Sequence, residues 1–221
     1  MKYYREKSIS ERLVQARETL NNALLDDEIK EIMASSGYAE AEFSEGNSRL
    51  NAAESLEVEQ EAHKGEQVKS TADLIEIYNA LRQQFSLDRR VIRIVTRANR
   101  GLYEGLRLHI KVKAGRGAFI QQATHFYEEV ATDPGVLQLL ADKQNLTDEF
   151  FIAGREGLAR LIAAINFQQQ MIGQAQVSTR ARQAAMADLD EWMIEFNRTA
   201  RYVFKDNERQ LRKLGITVRG K

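Results

Sequence analysis

Apolar side chains along this chain recur at helical intervals. Tyr78, Leu81, Phe85, Ile92, Val95, Leu102 and Leu106 stand three, four or seven residues apart, and Met186, Leu189, Met193, Phe196, Ala200, Val203 and Leu214 hold the same register further on. That spacing places each set on one face of an amphipathic helix, because a residue advances about 100° around the axis. The strand alternative is local. Val91-Ile92-Arg93-Ile94-Val95 is β-branched, but its counterpart Thr199-Ala200-Arg201-Tyr202-Val203 lies inside a strongly helical segment.

The two stripes belong to a longer self-similarity. Sliding the chain by 108 residues aligns 43–108 with 151–216 without a gap, and thirteen pairs are identical where composition alone gives about four. Among them are Phe43/Phe151, Gly46/Gly154, Gln60/Gln168, Gly65/Gly173, Ser70/Ser178, Arg90/Arg198, Arg93/Arg201 and Asn99/Asn207. The expected domain organisation is one helical-bundle domain over 1–221, with repeat one at 1–108, repeat two at 116–216 and a connector at 109–115. Leading helices are predicted at 8–25 and 116–131, brief ones at Glu28–Ala34 and Gly135–Lys143, middle ones at 38–66 and 147–174, and long ones at 71–108 and 179–214. Ser70-Thr71 and Ser178-Thr179, each a few residues after a glycine, read as N-caps of the long helices. Short alternating pieces at 109–113 and 216–219 are candidates for extended backbone.

A single proline, Pro134, fits this all-helical reading, since proline interrupts helix interiors, and its place suits the first turn of a brief helix. The fold class expected is an all-α, elongated up-and-down helical bundle, built by internal duplication with approximate twofold symmetry. Hydrophobic residues make up 43% of the 221, which suffices for a substantial core.

Composition narrows the chemistry. With no Cys there is no disulfide framework, thiolate zinc site, iron–sulfur cluster or cysteine nucleophile. None of His63, His109 and His125 has a Glu three residues upstream, so the Glu-x-x-His pairs of di-iron bundles are missing. Walker, nucleophile-elbow, HExxH and EF-hand patterns do not occur. The expectation is that no metal or other cofactor is used and that no residue is catalytic. The polar MKYYREKSIS start and the lack of a long apolar run lead to an expectation of a cytoplasmic protein without a membrane span.

Charge is balanced overall but uneven along the chain, with 32 basic against 32 acidic residues. Residues 1–70 hold 15 acids and 9 bases, a net of −6, while 82–116 hold 10 bases against Asp88 and Glu104, a net of +8. On a continuous helix Arg89, Arg93, Arg97, Arg100 and Arg107 form a solvent-facing stripe opposite Val95, Leu102 and Leu106. Arginine suits bidentate contact with phosphate or carboxylate, so these five residues are the candidate partner-binding set. The competing account has the stripe pairing with the acidic N-terminal third of the same molecule or of another copy.

Glu54, Glu57 and Glu61 form a carboxylate row on one helix face and are the candidate polar cluster. Either they are solvated, or a cation or basic segment offsets their desolvation. Gln60/Gln168 and Asn99/Asn207 read as amides beside the apolar stripe that fix register. Lys113-Ala114-Gly115-Arg116-Gly117-Ala118 has the glycines and cations of a phosphate loop, but a connector is the simpler account. The functional expectation is a non-enzymatic structural or interaction protein, a homo-oligomer or the binder of a protein partner, assembled through its acidic and basic surfaces. Binding of nucleic acid or another acidic partner through the arginines ranks next, and a ligand- or metal-dependent bundle enzyme using Glu54, Glu57 and Glu61 third.

Overall fold

A computed structural model describes residues 7–144 and 148–216. Among these residues the only regular secondary structure is helical, in eight α-helices: α1 Ile9–Leu25, α2 Asp27–Ser35, α3 Glu40–Val95, α4 Arg100–Gly105, α5 Arg116–Thr132, α6 Pro134–Gln144, α7 Ile152–Val203 and α8 Glu208–Lys213. A 3-10 turn at Asp148–Phe151 leads into α7.

The starts and stops follow local chemistry. Ser8 opens α1 with a capping box, its hydroxyl accepting from the Glu11 amide while the Glu11 carboxylate accepts from the Ser8 amide. Asp26 closes α1 and caps α2 through the Ile29 amide. Pro134 takes the first position of α6, where its missing N–H costs nothing. After α4 the chain turns out through Arg107 at φ 51°, and after α8 through Gly215 at φ 71°, the left-handed conformation that commonly ends a helix.

The middle and long helices expected from sequence are in fact fused, giving 56 continuous residues in α3 and 52 in α7. Gly65 and Gly173 do not close a helix; both sit in helical backbone with nothing packed against them. The N-caps expected at Ser70-Thr71 and Ser178-Thr179 are likewise absent. An N-cap needs extended backbone, and here all four hydroxyls donate back to carbonyls three or four residues earlier, Gln67 for the first pair and Ala175 for the second. Glu, Gln, Ala and Lys dominate these stretches, so propensity carries each helix across a glycine that costs only about 1 kcal/mol. The long helices also end earlier than expected, at Val95 and Val203, and Asn99 and Asn207 are N-caps of α4 and α8 rather than buried register amides.

The described residues divide into two compact units, 7–65 with 173–216, and 66–144 with 148–172. Neither is a continuous run such as 1–108 or 116–216, because α3 and α7 each contribute one half to each unit. The first unit packs α1, α2, α8 and its halves of α3 and α7 around Leu20, Ile29, Met33, Phe43, Leu50, Leu189, Met193 and Phe196. The second packs α4, α5, α6 and the other halves around Leu74, Leu81, Phe85, Ile92, Phe119, Phe126, Val130 and Phe151. Between the cores the helices lose their buried face: no residue from Glu54 to Lys69 is buried, and between Leu161 and Ser178 only Met171 is. The pieces at 109–113 are irregular, and 217–219 lie outside the described residues.

Candidate functional site

The arginine stripe does not survive as a stripe. Because α3 ends at Val95, Arg97, Arg100 and Arg107 no longer share its helical register. Arg89 is 4% exposed, lies 5.4 Å from the Phe85 ring centroid and donates to the main-chain carbonyls of Arg107, Leu108 and Ile110. Arg93 donates to the Leu108 carbonyl. Arg82 holds the carbonyl of Lys113, and the Tyr78 hydroxyl holds that of Ala114. Three arginines therefore fasten the connector to α3, a task the planar guanidinium fork suits. Burial pushes the Arg89 guanidinium below its ordinary value, with the neighbouring Arg93 charge acting in the same direction. Arg97, Arg100 and Arg107 are exposed, and Arg100 pairs with Glu104 one turn away.

The carboxylate row also separates. Glu54 accepts from Nε and Nη2 of Arg17 on α1, one bond to each carboxylate oxygen. Glu57 and Gln60 share Arg182 from α7, each at 3.1 Å, with Glu57 and Arg182 both only 17% exposed at the side chain. Glu61 is exposed. A basic segment does offset the desolvation of Glu57, and it comes from the same unit. Among the described residues no group of three His, Cys, Asp or Glu side chains lies close enough to hold a metal ion.

Sequence reasoning passed over the most unusual chemistry in the molecule. Asp88, on α3 in the second unit, is 0% exposed and forms no ion pair among the described residues. Its Oδ2 accepts from the Tyr127 hydroxyl at 2.7 Å and its Oδ1 from Gln84 Nε2 at 2.8 Å. Tyr127, on α5, crosses α7 at Gly154, where its ring fills the space a Cβ would need. Two donors favour the ionised carboxylate, but burial dominates and raises Asp88 above the ordinary carboxylate range. Burial and the neighbouring acid push the Tyr127 phenol upward as well. A signal was present in the sequence: Leu81, Phe85, Asp88, Ile92 and Val95 are spaced four, three, four and three, so an acid stands in the core register.

This relay lies between two clefts of the second unit. Gln84 lines one of about 300 Å³ between α3 and α7, with Glu76, Ile77, Ala80, Leu81, Ala153, Gly157 and Arg160. Tyr127 lines another of about 410 Å³ between α5 and α7, whose wall includes Ala131, Leu158, Ala159 and Ile162. Compared with known proteins, the chain matches no family model, no curated protein and no solved structure.

Asp88 carries a pH signature. Its folded-state pKa is raised above the unfolded value of 3.8, so its contribution to stability is complete below that value and is lost as pH rises through the folded pKa. Asp88→Asn has no proton to lose. Relative to that variant the wild type should lose unfolding free energy as pH climbs from 3.8, measured by urea denaturation in a pH series. A constant difference would mean that the carboxyl titrates normally.

Proposed function

We propose that this chain is a non-enzymatic interaction protein whose acidic and basic surfaces hold copies of it together. One observation carries the reading. Of the ten cations between Arg82 and Arg116, only Arg100 forms an ion pair among the described residues, and that one is local, to Glu104. The other nine form none among the described residues, and although Asp26, Glu45, Glu54 and Glu57 have internal cations, part of each charge block is left for another copy. Arg90, Arg97, Arg107, Lys111, Lys113 and Arg116 stay exposed, as do Glu59, Glu61 and Glu66 on α3. Exposed, unpaired charges of opposite sign on one neutral chain favour association between copies, at an on-rate and strength that fall with salt.

The scaffold is read as a duplicated hairpin with approximate twofold symmetry, and several local features support this. Helices α1 and α5 are both 17 residues long, and Arg100–Gly105 and Glu208–Lys213 begin and end 108 residues apart. The left-handed turns at Arg107 and Gly215 have the same separation. So do Gly65 and Gly173, at the two borders between the units.

Sedimentation velocity across a salt series tests association. An oligomer at about 50 mM salt should dissociate by about 500 mM, where the Debye length has fallen below about 5 Å. Arg97→Glu with Arg107→Glu should dissociate it at low salt while helicity is kept. A monomer at every ionic strength overturns the reading. The same exposed cations favour an acidic partner such as nucleic acid as the second reading, and binding of duplex DNA or RNA by a low-salt monomer would put it first.

A further inference from the structure

The cleft between α3 and α7 in the second unit stands out against the same register positions of the first. Ala80, Gln84, Ala153 and Gly157 line it. The positions 108 residues away carry Asp188, Trp192, Glu45 and Arg49. There Arg49 bonds Glu45 and the main-chain carbonyl of Asp188, and the Trp192 ring stacks on Phe196 with centroids 5.2 Å apart. At these four positions the first unit carries the larger side chains, whereas Glu76, Ile77 and Arg160 stand where it has Ala184, Ala185 and Ala52, so the second unit pairs an open floor with two charges the first lacks. Moreover the Trp192–Phe196 stack corresponds to Gln84–Asp88, so an apolar plug on one side matches a polar relay on the other. A core that needed only filling would have no use for the buried Asp88 and its two partners, since an aromatic pair serves in the same register.

The lining sorts by chemistry. Ile77, Leu81, Ala80, Ala153 and Gly157 form an apolar surface. Glu76 and Arg160 stand exposed at the mouth with opposite charges, joined neither to each other nor to another described side chain. Gln84 has its nitrogen committed to Asp88, which orients the amide and leaves the carbonyl oxygen as an acceptor with no donor among the described residues. The volume, about 300 Å³, is at the lower limit of ligand sites and admits a small metabolite.

We propose that this cleft binds a small zwitterion with an apolar side chain, of the size and charge pattern of an aliphatic α-amino acid. The ammonium group meets Glu76, the carboxylate meets Arg160, and the side chain covers Leu81 and Gly157 on the way to Gln84, two turns from Glu76 along α3. Each charged group makes a charge-assisted contact, and the Gln84–Asp88–Tyr127 relay fixes the amide that closes the far end of the cleft.

The probe is L-leucine, titrated into the full chain and followed by the Gln84 side-chain amide and Tyr127 ring resonances. Millimolar leucine should shift both. Isopentylamine and 4-methylpentanoate, each lacking one of the two charged groups, should bind at least about tenfold more weakly, as should leucine to Glu76→Gln or Arg160→Gln. Both substitutions are at exposed positions, so the variants remain folded. Gly157→Arg, which copies the residue of the first unit, should abolish the shifts. No shift at about 20 mM leucine overturns the proposal. So does binding that ignores both mouth substitutions, or an amine that binds as well as leucine.

Discussion

Gly154→Ala should destabilise the protein by about 2–5 kcal/mol, whereas Gly65→Ala should stabilise it by about 0.5–1 kcal/mol, although both glycines lie inside long helices. In an unobstructed helix the added methyl removes backbone freedom from the unfolded chain, and nothing lies within 4 Å of a Cβ at Gly65. At Gly154 the new Cβ would overlap the Tyr127 hydroxyl and ring. The ring cannot yield without releasing Asp88, so an overpacking cost is joined by a buried carboxylate that loses a donor. The identical glycine of the other unit behaves in kind. A Cβ at Gly46 would lie 2.6 Å from Trp192 Cζ2, so Gly46→Ala should be destabilising, while Gly173→Ala, with open space, should match Gly65→Ala. Urea denaturation of the four variants reads the signs. Equal effects at all four would show that the two aromatic rings do not sit against the glycines.

Phe85→Ala should cost about 3–5 kcal/mol, the range for deleting a fully enclosed aromatic side chain. Phe85 is 0% exposed and meets Phe119, Phe126 and Tyr127 edge to face at centroid distances of 5.4, 5.2 and 5.9 Å. The Arg89 guanidinium lies over it as well. Three rings and an anchored arginine leave little that can collapse into the vacated space, which places the loss toward the top of the range. Leu87, two residues on and 53% exposed, provides the contrast: Leu87→Ala should change stability by no more than about 0.5 kcal/mol. A loss below about 1.5 kcal/mol for Phe85→Ala would show that the cluster repacks freely. The Tyr127 resonances should broaden in this variant, because the ring that braces the relay is gone.

Much of the helical plan was legible because it depends on near neighbours. The extents of α1, α2, α5 and α6 differ from expectation by a residue or so, since Ser8, Asp26 and Pro134 act within one turn of themselves. The apolar stripe of α3 faces a core as its spacing required. The breaks at Gly65 and Gly173 misled because a glycine permits a helix to end without compelling it to. Ser70 and Thr71 can cap a helix or bond back to it, and the choice lies in backbone that was already helical.

The site was less legible, and Arg89 and Asp88 show why. A helical wheel separates an apolar face from its opposite, but it cannot tell which flank the chain later covers. Arg89 became buried because residues 106–114 fold back over it and offer carbonyls that need donors. Asp88 stood in the core register, yet only Tyr127, brought from another helix across Gly154, makes that position tolerable for a carboxylate. Glu57 found its cation on α7, far along the chain, although both residues could be read separately.

The sequence by itself determined the helical class, the register of the apolar faces, the capped ends and the uneven distribution of charge. All of these are set by propensities and spacings that act within a turn or two of helix. Tertiary structure alone decided which charges are buried, which are bound to main-chain carbonyls, and where small side chains leave a cleft. Those outcomes depend on desolvation, and desolvation is a property of whatever distant segment arrives to exclude the water.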